Sequence, residues 1–225
     1  MLKGLKRHKP RSQDNRLPIT PWILLKIKEV LSQNPHDYNT LIWAACCLGF
    51  FAFLRSGEFT VQSSHHFNAA WHLTPSDISI DSRENPSLMK IHLKGSKTDQ
   101  ERVGIDLYVG RTDEICPVAA MLAYLVVRGQ DDGPLFRLRD GRPLSREHLV
   151  RVLRSSLSSA GMDCSRYSGH SFRIGAVTTA IAKGVPEATV QMLGRWASDS
   201  FKRYVRIPRQ DLAQISRQIG TDLKG

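Results

Sequence analysis

The chain has 225 residues, enough for one large domain or two small ones, and 41% of them are apolar, enough for a core. Its formal net charge is +11, which favours a polyanionic partner but also fits a merely basic soluble protein. The apolar run from Leu41 to Leu54 is too short to span a bilayer, and the basic N-terminus has no apolar signal core, so an intracellular protein without a membrane partner is expected. Cys46, Cys47, Cys116 and Cys164 show no CxxC spacing; reduced, buried thiols are expected rather than a disulfide framework or a zinc site.

Residues 1 to 16 are rich in Lys and Arg and lack periodicity, and read as a linker or arm. Thr20-Pro21 is a helix start, with Ile23, Leu24, Ile27, Val30 and Leu31 at helical spacing behind it. A second helix, apolar on most sides, is expected from about Asn39 to Leu54, with Arg55 at its end. There a cation either complements the helix dipole or grips phosphate. Residues 59 to 76 read as a surface loop. Its His65, His66 and His72 suit no helix face, and no acidic or Cys ligand stands near them, so no metal is expected.

Segments 77 to 81, 88 to 93 and 102 to 109 alternate apolar and polar residues and read as a small antiparallel three-stranded β-sheet. Lys97 falls on the connection between the last two strands, with Lys94 as a rival just before it. Cys116-Pro117 opens a helix to Arg128, with Val118, Met121, Leu122 and Leu125 inward. Ser145 caps another to about Ser159, and its Arg146, Arg151 and Arg154 form either a DNA-backbone face or a solvated one. Further helices are expected over His170 to Lys183 and Pro186 to Leu193. Ser198 and Asp199 can cap the turn carrying Tyr204, and Leu212, Ile215 and Ile219 mark a thin apolar stripe on a last helix.

Residues 168 to 204 hold the densest chemistry. His170 and Arg173, three apart, share a helix face, so a proton carrier and a fixed-charge fork point the same way, as a phosphodiester requires. Tyr204 stands among Lys202, Arg203 and Arg206, where positive charge favours a phenolate nucleophile. His170-x-x-Arg173, then Leu193-Gly194-Arg195, then a Tyr nine positions on, resemble the C-terminal box of the tyrosine recombinases. Leu54-Arg55-Ser56-Gly57-Glu58 resembles their first arginine box and Gly95-Ser96-Lys97-Thr98 their β-turn lysine. The wording Gly194-Arg195-Trp196-Ala197-Ser198 and Tyr204-Val205-Arg206 is similar to the recombinases of DIRS-type retrotransposons and Cryptons.

The resemblance implies a mainly α fold carrying the small sheet, a catalytic domain over residues 17 to 225, and a preceding DNA-gripping domain that this chain lacks. It implies double-stranded DNA as partner, a tetramer on DNA with a monomer when free, a nuclear location, and no cofactor or metal. By carry-over, Tyr204 attacks the scissile phosphate to form a 3′-phosphotyrosyl bond, Arg55 and Arg173 clamp the non-bridging oxygens, and Lys97 protonates the departing 5′-oxygen. His170 supports proton movement at the tyrosine. Arg195 stands where the family commonly has His or Trp, so the phosphate contact falls to Arg195 or to Trp196, whose other role is a core anchor. Glu58 can accept from Arg55 or a nearby amide, or be a surface charge. Lys94, Lys202 and Arg203 join Arg146, Arg151 and Arg154 as DNA-binding candidates. The rival readings are a co-opted DNA-binding domain that no longer cuts, a type IB topoisomerase, and a basic RNA-binding protein, for which no aromatic RNP-like strand speaks.

Overall fold

The computed structural model describes residues 15–63, 65–95 and 104–204, with backbone only for Arg203 and Tyr204. Helix α2 (Asp37–Phe51) is the axis of the fold. Nine of its fifteen residues are buried, Leu41 to Phe50 with few gaps, so it must be covered on nearly every side. α1 (Pro21–Ser32), α4 (Pro117–Arg128) and α6 (Ser171–Ala182) supply that cover, and α5 (Arg146–Ser159) packs on α1. Burial pushes the Cys46 thiol up to about 12 and raises Cys47 further from reactivity; Cys116 and Cys164 are only half-buried.

The caps follow from local chemistry. Thr20 Oγ1 accepts from the Ile23 amide, with Pro21 at the first helical position; Ser145 Oγ accepts from the His148 amide at 3.1 Å; and Cys116 Sγ accepts from Ala119. α4, α5 and α6 are each followed by a glycine at positive φ: Gly129, Gly161 and Gly184.

The sheet has the order β1 (Ile78–Ile80), β2 (Leu88–Leu93), β3 (Ile105–Gly110), antiparallel throughout, with Ile91 opposite both Ile78 and Leu107. Met89, Ile91, Leu93 and Val109 face the core, while Lys90, His92, Asp106 and Tyr108 face outward, the period-two pattern of a half-buried sheet. Lys97 and the first two residues of the strand expected over 102 to 109 lie outside the described residues, as do the arm up to residue 14 and the stripe of Leu212, Ile215 and Ile219.

Two expectations are corrected. The second helix stops at Phe51, so Arg55 is not at its end. Phe53 adopts φ 52°, its amide donates to Phe50 O, and Leu54 N donates to Gly49 O, a Schellman closure with phenylalanine where glycine is usual. The left-handed residue costs about 1–2 kcal/mol. Arg55 then starts a new one-turn helix, α3 (Ser56–Phe59). Finally, residues 59 to 76 are not simply a surface loop: Phe59, Thr60, Val61, Leu73 and Thr74 are buried, and a 3₁₀ turn covers Pro75–Asp77. Thr74 N and Oγ1 both donate to Asp77, a capping box readable in Thr74-Pro75-Ser76-Asp77.

Candidate active site

Arg55 is the N-cap of α3, and Glu58 closes the box: the Arg55 amide donates to Glu58 Oε2 at 2.7 Å and the Arg55 guanidinium to Oε1 at 2.9 Å. Glu58 also receives Arg195 Nη2 at 2.6 Å, and both side chains of that pair are 8% exposed. One carboxylate thus joins two arginines that are 140 positions apart in sequence. Glu58 is no surface charge.

Arg195 follows α7 (Glu187–Leu193) and has φ 56°. Its amide donates to Met192 O and Trp196 N donates to Gln191 O, the same Schellman closure that ends α2. Gly194 is required there, since a Cβ would lie 1.5 Å from the Trp196 ring. Burial pulls the Arg195 guanidinium below its ordinary pKa and the neighbouring Arg55 pulls the same way, while the Glu58 carboxylate opposes both. Its Nε is buried without a hydrogen-bond partner among the described residues.

Arg173 departs from expectation. His170 is the N-cap of α6, and Arg173, in the first turn, is 1% exposed. Of the two, His170 and not Arg173 lines the cavity between α3 and the start of α5. Arg173 Nη1 donates to Phe53 O at 2.7 Å and Nη2 to Gly194 O, and the guanidinium lies 4.0 Å from the Trp196 ring centroid. It therefore joins the two Schellman ends, where the carbonyls and the negative dipole ends of α2 and α7 attract a cation. Trp196 is 9% exposed, a core anchor lying between Arg173 and Phe201.

His170 faces a cavity of about 710 Å³. Arg16, Arg55, Ser56, Glu58, Arg146 and Trp71 line it too. The Ser168–His170 loop reaches α3 because Gly169 has no side chain: a Cβ would come 2.7 Å from Ser56 Cβ. Arg146 lies across Gly57, where a Cβ would meet its Nη2 at 2.8 Å. Four cationic or protonatable side chains, Arg16, Arg55, Arg146 and His170, so converge on one concave surface, which is what an anionic phosphodiester needs.

The remaining candidates divide. Lys94 also lines the cavity, but its ammonium is turned to Asp77 Oδ2 at 2.7 Å, Ala69 O at 2.8 Å and Thr74 Oγ1 at 3.2 Å. Arg146, Arg151 and Arg154 do not form one open face. Arg151 donates to His148 Nδ1, and Arg154 donates to Tyr167 O and Ser165 O, which braces the loop leading to His170. Lys202 pairs with Asp199 and Glu187 at the surface. Tyr204 ends a 3₁₀ turn over Asp199–Tyr204; its side chain and that of Arg203 lie outside the described residues. No group of three or more metal-ligating side chains occurs among the described residues. Arg16 and Trp71 escaped the sequence reading; an isolated Trp in the polar stretch 62–72 was the available signal.

The fold has solved counterparts. XerA recombinase superposes with a TM-score of 0.64 at 19% identity, over 94% of this chain and 66% of that one. The XerH site-specific recombinase, in a post-cleavage complex with a difH substrate, gives 0.64 at 18% identity over 89% and 52%. The lambda integrase catalytic core gives 0.54 at 16% identity over 82% and 95%. This is the tyrosine recombinase catalytic-domain fold. The chain spans between half and two thirds of the length of XerA and XerH, and nearly all of the lambda integrase core. No family model and no curated protein matches it. Within the recombinase fold, Arg55 and His170 come from separate segments to one cavity, and Arg173 and Arg195 lie behind it as struts.

Proposed function

We propose that the chain is the catalytic part of a tyrosine-type DNA recombinase, most akin to those of eukaryotic mobile elements, working in the nucleus as a tetramer on DNA after a separate DNA-gripping domain. The observation that carries this reading is the convergence of Arg55, His170 and Arg146 on one cavity within this fold. In the proposed reaction, Tyr204 Oη attacks the scissile phosphorus. The Oη–P bond forms as the P–O5′ bond breaks, His170 assists removal of the phenolic proton, and Lys97 protonates the leaving 5′-oxygen. Arg55 holds a non-bridging oxygen. Arg173 and Arg195 join it by exchanging protein acceptors for phosphate; the buried Arg195 Nε, which lacks an acceptor among the described residues, is a donor that a phosphate oxygen would satisfy. Rejoining runs the same steps backwards with a 5′-hydroxyl as nucleophile.

A DNA-binding protein that does not cut is the second reading. It is favoured by the commitment of Arg173 and Arg195 to protein groups. A bridging 5′-thiolate substrate separates the two. Lys97→Ala is expected to slow cleavage of the ordinary substrate by about 10²-fold or more, and the thiolate, which needs no proton, to restore it. Cleavage of neither substrate by the unsubstituted chain supports the non-cutting reading. An unrestored Lys97→Ala removes Lys97 as the acid.

A further inference from the structure

Most donors on the wall of the large cavity already have a protein partner. Lys94 is turned to Asp77, Ala69 and Thr74. Ser168 Oγ accepts from His170 N at 3.3 Å, and Arg55 gives one guanidinium nitrogen to Glu58 Oε1. Ser56, the first residue of α3, differs. Its carbonyl is engaged, accepting from Thr60 N at 2.9 Å and from Thr60 Oγ1 at 2.6 Å. Its side chain lines the cavity, and the hydroxyl has no hydrogen-bond partner among the described residues.

The neighbours of that hydroxyl define what it can hold. Arg55 precedes Ser56 in the chain. Gly57 follows, and a Cβ there would meet Arg146 Nη2 at 2.8 Å, so the Arg146 guanidinium lies beside the same turn. The Arg146 amide is fixed by donation to Val61 O at 2.9 Å, while its guanidinium makes no ion pair among the described residues. From a third side comes the loop before His170: a Cβ on Gly169 would lie 2.7 Å from Ser56 Cβ and 2.9 Å from Ser56 Oγ. The hydroxyl thus stands where the segments carrying Arg55, Arg146 and His170 meet. We propose that Ser56 is a further phosphate-binding residue, whose Oγ–H donates to a non-bridging oxygen of the scissile phosphate between the guanidinium groups of Arg55 and Arg146. This rests on the recombinase reading, in which the cavity holds the phosphodiester. A hydroxyl suits the place: it adds a donor without adding charge among crowded cations, and it rotates to meet the oxygen. Its bond to an anionic oxygen is stronger than one to a neutral acceptor.

The test is the rate of covalent adduct formation on a nicked suicide duplex whose scissile phosphate is either ordinary or carries sulfur, a poor hydrogen-bond acceptor, in place of one or the other non-bridging oxygen. Ser56→Ala and Ser56→Cys are expected to slow adduct formation on the ordinary substrate about ten-fold or more. Sulfur at the oxygen that Ser56 holds is expected to slow the unsubstituted chain by a similar factor and to slow Ser56→Ala no further, whereas sulfur at the other oxygen slows both alike. Cysteine keeps the shape of serine, and the Tm of each variant separates loss of the donor from loss of fold. An unchanged rate in Ser56→Ala, or a sulfur penalty that Ser56→Ala still shows in full at both oxygens, overturns the role of Ser56 and leaves the recombinase reading standing. No adduct from the unsubstituted chain overturns both.

Discussion

Glu58 accepts from the Arg55 amide, the Arg55 guanidinium and the Arg195 guanidinium, and it does so nearly out of water. Removing one partner of a buried pair leaves the other charge uncompensated, at a cost of about 3–5 kcal/mol. Glu58→Ala is therefore expected to lower the unfolding free energy by about 3 kcal/mol or more in urea titration. A loss below about 1 kcal/mol, the scale of an exposed pair, would show that both arginines find other acceptors and that Glu58 does not organise the site. The Arg55–Glu58 contact was legible in the sequence, because the two stand three apart around a helix start. The Arg195 contact was not. It depends on Arg195 taking φ 56° at a helix end where glycine is usual, and no neighbouring residue announces that. The direction of Arg173 was hidden for a similar reason: its acceptors, Phe53 O and Gly194 O, come from segments 120 and 21 positions away.

Among the elements, α6 is set most tightly. A Cβ on Gly175 would lie 1.8 Å from Ile19 O, and Ile19 N donates to Ser171 O at 3.0 Å, so the strand-like entry to α1 runs directly over the helix that follows His170. Gly→Ala inside a helix ordinarily stabilises by about 1 kcal/mol. Here the sign reverses. Gly175→Ala is expected to destabilise by about 3 kcal/mol, a fall of roughly 6–12 °C in Tm, whereas Gly110→Ala, with nothing within 4 Å, is expected to stay within about 0.5 kcal/mol. Similar Tm values for the two variants would show that α6 is free to shift. Most long elements were legible because their periodicity is set by burial: Ile23, Leu24, Ile27 and Leu31 are all buried on α1, and Met89, Ile91 and Leu93 on β2. α3 was missed because four residues carry no period and arginine is not a usual cap.

At the scale of the whole molecule, a net charge of +11 says that an anion is welcome, but not where. The fold supplies the place. It folds α3, the box loop, the start of α5 and the end of β2 around one cavity, so that Arg55, Arg146, His170 and Lys94 meet there from four stretches of sequence. The ordered boxes made Arg55 and His170 legible as partners. Arg146 was legible as a DNA-binding candidate, but not its meeting with Arg55, which depends on the Val61–Ser145 bridge that brings the start of α5 to α3, and Trp71 was not legible at all. In the proposed reaction this cavity holds a phosphodiester for attack by Tyr204. A nicked suicide duplex, incubated at moderate salt and run on a denaturing gel, tests it most directly. A protein–DNA adduct from the unsubstituted chain, absent from Tyr204→Phe with DNA affinity retained, is the predicted result; an adduct that persists in Tyr204→Phe would contradict it.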